Sequence, residues 1–345
     1  MDRILVTGGA GYIGSHFVEL LVKQNAEVVV IDNLQQGHPE TIPSGVRLVV
    51  GDIANAALLD EVLARGPWHA VFHFAALSVV SDSMQHPLRY LRENAAGAMT
   101  LIDACIRHNV KRFVLSSTAN LFGSQAVSPI AETAPIAPNT PYGESKLMIE
   151  QTLRWAGSQH GLNSGILRYF NAAGADPTGR LGEHHAPETH LIPLTIDAAL
   201  GRRPALTLFG TDYPTQDGTC VRDYIHVTDL CDAHLLVLDK LDHSSVTYNV
   251  GTGTGHSVLD VITAVERVTG RKVPVKFGPR RAGDPAILFA DPTKLKRETG
   301  WTPRYAALDD IVRTAYDWRL RHCNGYLRTS DACGLRVQTA RSGPG

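Results

Sequence analysis

The amino-acid sequence predicts an α/β protein: a doubly wound parallel sheet of about seven strands, with helices on both faces, and a smaller C-terminal α/β lobe. Three observations carry that expectation. Short runs rich in Val, Ile and Leu alternate with longer segments of helical period, which is the pattern of βαβ units. Glycines cluster in residues 8–14, between the first apolar run and the first helical segment. Past about residue 171 the alternation gives way to stretches richer in Gly and Pro.

The strands are expected at 3–7, 27–31, 46–50, 70–74, 112–116, 164–169 and 246–250. Ile4-Leu5-Val6 and Val28-Val29-Val30-Ile31 are continuous apolar runs, as strands covered on both faces require. Helices are expected at 14–25, 57–65, 86–109 and 142–160. In the third of these, Leu88, Leu91, Leu101, Ile102 and Cys105 keep near-helical spacing. Residues 1–170 thus read as a Rossmann-type dinucleotide-binding domain, to which about 228–252 return. Residues 171–325 read mainly as the second lobe, with helices at 191–200, 228–240, 257–269 and 308–320. The stretches 171–190 and 209–222 read as long ordered loops, which in compact chains usually carry function. Residues 326–345 lose periodicity, end in Ser-Gly-Pro-Gly and read as a disordered tail.

Composition narrows the partners. The 345 residues are 43% hydrophobic and 19% charged, with a formal net charge of −1 and no long basic run. Neither nucleic acid nor an anionic membrane is expected to bind such a chain. No apolar run reaches the ~18 residues that span a bilayer. Five cysteines without a paired spacing suit reduced thiols. Met1-Asp2-Arg3 leads straight into the first strand without a signal peptide, so a cytoplasmic protein is expected.

Gly8-Gly-Ala-Gly11-Tyr12-Ile13-Gly14 follows a predicted strand and opens a predicted helix. Glycines there allow a tight turn and a close approach to a pyrophosphate at the helix N-terminus. Asp32 ends the second strand, 18 residues after Gly14, where a carboxylate can accept both ribose hydroxyls and would repel a 2′-phosphate. NAD is therefore expected rather than NADP. Asn33 follows Asp32, and Asp52-Ile53 ends the third strand where it could frame the adenine. Tyr142 and Lys146 stand four apart in Thr140-Pro-Tyr-Gly-Glu-Ser-Lys146, one turn apart on one helix face. An ammonium beside a phenol favours the phenolate, making Tyr142 a candidate acid/base.

The glycine spacing, the Tyr142/Lys146 pair and Ser116-Ser117-Thr118 together resemble the extended short-chain dehydrogenase/reductase family. Three later blocks narrow the resemblance to its UDP-glucose 4-epimerase branch: Arg168-Tyr-Phe-Asn-Ala-Ala-Gly-Ala-Asp176, Asp212-Tyr-Pro-Thr-Gln-Asp-Gly218 and Val221-Arg-Asp-Tyr-Ile-His-Val227. It extends from the first strand to about residue 325. By this resemblance Tyr142 is the base and acid, Lys146 lowers its pKa and binds the nicotinamide ribose, and Thr118 bonds the sugar 4-hydroxyl. Phe74, Ala75, Ala76, Asn94 and Phe170 are implied to line the NAD site. Asn171, His190, Leu208, Phe209, Arg222, Arg281 and Asp284 are implied to hold a UDP-sugar, the two arginines at the diphosphate and Asp284 at the ribose. A planar guanidinium suits that task, because it grips phosphate oxygens bidentately.

Departures from the family pattern are informative. Ser78 stands where many members carry a lysine near the cofactor. Asn120 stands where related dehydratases and decarboxylases carry a carboxylic acid, and an amide cannot protonate a leaving hydroxyl. Leu288 occupies the position resembling the sugar-size gate and is intermediate between the bulky and small residues found there. It leaves UDP-N-acetylhexosamines and UDP-pentoses open beside UDP-glucose and UDP-galactose. His184, His185 and His190 lack a Cys or carboxylate constellation of ligand spacing, so no metal is expected. The resemblance further implies a homodimer through helices 86–109 and 142–160. A non-catalytic nucleotide sensor on the same fold is disfavoured by the retained Tyr142 and Lys146.

Overall fold

The computed structural model describes residues 2–123, 127–281 and 284–326. Its centre is a parallel sheet of β1 (Arg3–Thr7), β2 (Glu27–Asp32), β3 (Arg47–Val50), β4 (Ala70–His73), β5 (Arg112–Thr118), β6 (Asn163–Tyr169) and β10 (Val246–Val250). The spatial order is β10-β6-β5-β4-β1-β2-β3. All seven expected strands are present. The first strand lies inside the sheet, and the chain winds outward from it in both directions. The crevice at the carboxyl ends of β1 and β4 is therefore the topological switch point, where such sheets bind ligands.

Both faces of the sheet are covered, which explains the unbroken apolar runs. In β1, Ile4 and Val6 face one core together with Phe17, Val30 and Phe72, beneath α1 (Tyr12–Lys23) and α8 (Val227–Leu238). Leu5 faces the other core with Ile31, Leu59, Val71, Leu115 and Ile149, beneath α2 (Ala56–Leu63), α5 (Gly97–Arg107) and α6 (Pro141–His160). Helix starts are encoded locally. Asn55 caps α2, and Thr140 caps α6 with Pro141 in its first turn.

The expected helix 86–109 is present but irregular. After α3 (Val80–Gln85), α4 (Pro87–Tyr90), a π turn at Leu91–Ala96 and α5 follow one another without a gap. A second group of elements packs on its own core around Ile196, Leu206, Val261 and Val312. It includes α7 (Leu191–Ala199), α9 (Val258–Thr269), α11 (Leu308–Arg321) and the strand pair β8 (Leu206–Phe209) with β12 (Val275–Gly278). A small sheet joins β7 (Asn171–Ala173), β9 (Val221–His226), β11 (Gly255–Ser257) and β13 (Ile287–Leu288). These six strands lie outside the sequence expectation, because they have two to six residues each and several are strongly polar.

Tyr326, expected to begin the tail, belongs to the fold: its hydroxyl bonds Gly182 N at 2.8 Å and its ring packs 5.0 Å from His38. The rest of the expected tail lies outside the described residues. No described helix is long and apolar enough to cross a membrane.

Candidate active site

The glycine turn is shaped by contacts that exclude side chains. Gly8 has φ +74°, and a Cβ there would lie 2.4 Å from Ala75 N. A Cβ on Gly14 would lie 2.1 Å from Gly8 O, so α1 can enter this close only with glycine. Gly11 differs, since a Cβ there would meet nothing of the protein nearer than Gly8 O at 3.4 Å. Gly11 is also the N-cap of α1 and supplies no side-chain cap, which leaves the helix N-terminus for an external anion. This open face fits a pyrophosphate.

Asp32 lies beside the turn, 7% exposed, and accepts Ala10 N and Leu34 N at 2.9 Å each. Burial raises its pKa, while the two backbone donors oppose the rise. Asn33 Nδ2 donates to Asp52 Oδ2 at 2.9 Å, joining the ends of β2 and β3, and Ile53 is buried below them. Tyr12 reaches across to Gly174 O at 2.7 Å, and Ile13 packs on the first core. After β4, the amides of Phe74 and Ala75 bond Thr7 O, so Phe74, Ala75 and the exposed Ala76 run along the rim of the turn. Ser78 is exposed on the same segment. The Asn94 amide brackets Leu77 by its N–H and carbonyl at 2.8 and 2.9 Å and donates to Ser145 Oγ at 3.1 Å. Its side chain thereby ties the rim to α6.

The hydroxyl-rich end of β5 meets the start of α6. Thr118 Oγ1 accepts Asn120 N and Nδ2 at 3.2 and 3.1 Å, and the Thr118 hydroxyl lies near enough to the Tyr142 phenol to act on its ionisation. Tyr142 is 6% exposed and Lys146 2%. The Lys146 ammonium donates to Ser116 O at 2.9 Å. Burial, followed by the Tyr169 phenol, drives the Tyr142 pKa well above 10, and the Thr118 hydroxyl only opposes this. Burial also lowers Lys146 to about 8.

Behind Lys146 stands a pair that sequence reasoning missed. Glu150, one turn further along α6, accepts Arg168 at 2.6 Å and Ser117 Oγ at 2.6 Å. Its carboxylate, at Tyr142 + 8 and Lys146 + 4 on a buried helix face, is the signal that could have disclosed it.

On the other side of the crevice, β9 and β13 align Arg222 with Leu288. Leu288 and Phe170 share a small apolar cluster with Ala119 and Phe122, just past Thr118. Arg222 pairs with Asp284 at 2.7 Å, and Asn171 Nδ2 donates to Asp223 O at 2.9 Å. Arg281 is exposed and its guanidinium lies 4.3 Å from the Phe209 ring. Leu208 is not a surface residue: strand alternation turns its side chain into the lobe core, 1% exposed, and presents Phe209 instead. His190 caps the start of α7, with Nδ1 2.8 Å from Glu183 and 3.1 Å from Glu188. The carboxylates that the sequence reading found missing around the histidines are thus present at Glu183 and Glu188.

A dinucleotide turn at the switch point, facing a buried Thr–Tyr–Lys set, defines an NAD-dependent enzyme of the Rossmann class. The chain belongs to the NAD dependent epimerase/dehydratase family, which matches residues 4–251. It is 51% identical to a UDP-glucose 4-epimerase of Azospirillum brasilense over 92% of this chain and 91% of that one. A crystal structure of a UDP-glucose 4-epimerase superposes with a TM-score of 0.92 at 46% identity, covering 95% of this chain and all of that one. The Brucella ovis UDP-glucose 4-epimerase in complex with NAD gives 0.89 at 43% identity, covering 92% and 98%.

Proposed function

We propose that this chain inverts C4 of UDP-glucose and UDP-galactose, with Tyr142 as the proton-transfer group. The observation that carries the reading is the buried Tyr142 and Lys146 of α6 set against the Ser116–Thr118 end of β5, where Lys146 donates to Ser116 O at 2.9 Å, with no carboxylic acid at position 120. Bound NAD supplies reversible hydride exchange with C4. Tyr142 takes the 4-hydroxyl proton and later returns it, while Thr118 orients that hydroxyl. Lys146, buried and cationic at neutral pH, stabilises the phenolate and bonds the cofactor ribose. The nicotinamide cation adds a second positive charge, and together these offset the burial that raises the free phenol. Gly8, Gly11, Tyr12, Ile13, Gly14, Asp32, Asn33, Asp52, Ile53, Phe74, Ala75, Ala76, Asn94 and Phe170 form the cofactor side.

Arg222 and Arg281 bind the diphosphate, Asp284 the ribose, and Asn171, His190 and Phe209 complete the nucleotide end. The existing Arg222–Asp284 pair opens as UDP enters, which exchanges one charge-assisted contact for another. Anchoring the nucleotide firmly leaves the hexose free to turn and take hydride on either face. Leu288, beside Thr118, limits the sugar and is the residue on which acceptance of N-acetylated sugars or pentoses depends.

Exposed Leu88, Met99 and Trp155 support a homodimer through the helices within 86–109 and 142–160, and a cytoplasmic location belongs to the same reading. The deciding experiment incubates purified protein, without added cofactor, with a panel of UDP-sugars and follows products by NMR. C4 inversion of UDP-glucose is the expected result. Absence of inversion across the whole panel, in protein that carries NAD, would refute the assignment.

A further inference from the structure

We propose that Glu183, His185, Glu188 and His190 form a binding site for one divalent transition cation of the zinc type. One ligand atom from each residue lies within 4.8 Å of the others. His185 Nδ1 is 3.4 Å from Glu183 Oε1 and 3.8 Å from Glu188 Oε2, and His190 Nδ1 is 2.8 Å from Glu183 Oε1. A tetrahedral cation bound at about 2.0–2.1 Å needs ligand atoms about 3.3 Å apart; these three separations lie within about 0.5 Å of that, and the wider ones in the cluster, up to 4.8 Å, would have to contract on binding. Two imidazoles and two carboxylates are the donor set zinc accepts, and their charge balances a divalent cation when both rings are neutral.

A second observation concerns unmet valence. His185 Nδ1 and Glu188 Oε2 are buried and make no hydrogen bond, although they stand 3.8 Å apart. Glu188 is oriented for this, because Thr189 N and His190 N donate to its other oxygen at 2.9 and 3.0 Å. Such backbone bonds hold a ligating carboxylate in place. The nearest competing cation is Arg319, 4.0 Å from Glu188 Oε2 but already bonded to Asp197. The rival occupant is a pair of protons, one on each imidazole, making the same four groups an ion-paired quartet.

All four ligands fall within eight residues of one loop leading into α7, and His185 packs edge-on to Tyr12 at 6.3 Å. The cation would pin this loop against the dinucleotide turn through His190 Nδ1 and leave His190 Nε2 for the nucleotide end, so its role is structural and does not depend on which sugar reacts. The test uses tag-free full-length protein stripped with a chelator, dialysed against zinc and desalted, with metal measured by plasma mass spectrometry. About one zinc per chain and a melting temperature raised by several degrees over the stripped protein are expected. The variant H185N/E188Q should lose most of the bound zinc. Should that variant fail to fold, cobalt-loaded wild-type protein decides: intense tetrahedral visible bands support the site. Less than about a tenth of an equivalent of zinc, equal zinc in a folded variant, or a weak octahedral cobalt spectrum would each overturn the site.

Discussion

Replacing Tyr142 with Phe removes a single oxygen from a side chain that is 6% exposed. The ring keeps its edge-on contact with Tyr90, at 6.5 Å between centroids. Thr118 Oγ1 keeps both donors from Asn120, so the substitution orphans no buried group. The stability change should therefore stay near that of one neutral hydrogen bond, about 1 kcal/mol, or a few degrees in melting temperature. Turnover should respond very differently. A positioned acid/base contributes about 10²–10⁴ in rate, equivalent to about 2.7–5.5 kcal/mol of barrier. Because the proposed diphosphate anchors Arg222 and Arg281 lie elsewhere, the loss should fall on kcat with KM for the UDP-sugar little changed. NMR progress curves for UDP-galactose, run beside thermal melts of both proteins, measure the two effects together. A kcat within tenfold of wild type, in a protein whose melting temperature falls by no more than those few degrees, would refute Tyr142 as the proton-transfer group.

The glycine turn predicts a contrast. Gly11→Ala should fold with a melting temperature close to that of cofactor-free wild type yet purify without NAD, whereas Gly14→Ala, whose Cβ would lie 2.1 Å from Gly8 O, should lose stability as well; absorbance of released nucleotide and melting curves distinguish them. Arg168→Met would leave the Glu150 carboxylate, 6% exposed, buried without its cation, at a cost of about 3–5 kcal/mol in denaturant unfolding. Pairing it with Glu150→Leu should restore most of that loss. Acid should destabilise the fold through histidines kept neutral by burial: His16 and His234 are lowered to about 4, and His73 and His226 to about 3. Their folded pKa values lie below the unfolded 6.5, so the unfolded chain binds more protons in that window. Their contribution is complete above pH 6.5 and is lost as pH falls toward 4 and then 3, which melts taken from pH 7 to pH 4 would register as a steep decline.

What the sequence disclosed follows from how local each signal is. The seven core strands were legible because a strand covered on both faces must be apolar throughout, as Val28–Ile31 is. The turn, Asp32 and the Tyr142/Lys146 pair were legible because each depends on spacing along one or two adjacent elements. The β9–β13 pairing was not, since it brings Arg222 to Leu288 across 66 positions through strands too short and polar to stand out. Leu208 was not separable from its neighbour Phe209, because only strand phase decides which of the two side chains is buried. The electrostatics of Tyr142 were only half legible, for a different reason. Spacing gives the proximity of Lys146, but only the packed structure gives the burial that outweighs it.

The π turn at Leu91–Ala96 carries a further consequence. It holds one residue more per turn than an α-helix would, so the segments before and after it are out of angular phase by roughly 100°. Deleting a single residue there would be invisible to composition and would even regularise the helix. It would also swing Asn94 away from Leu77 and Ser145 and let go of the rim beside the dinucleotide turn. In this chain the irregular helix is the one in working order, and a consensus-smoothed version of it would be the damaged one.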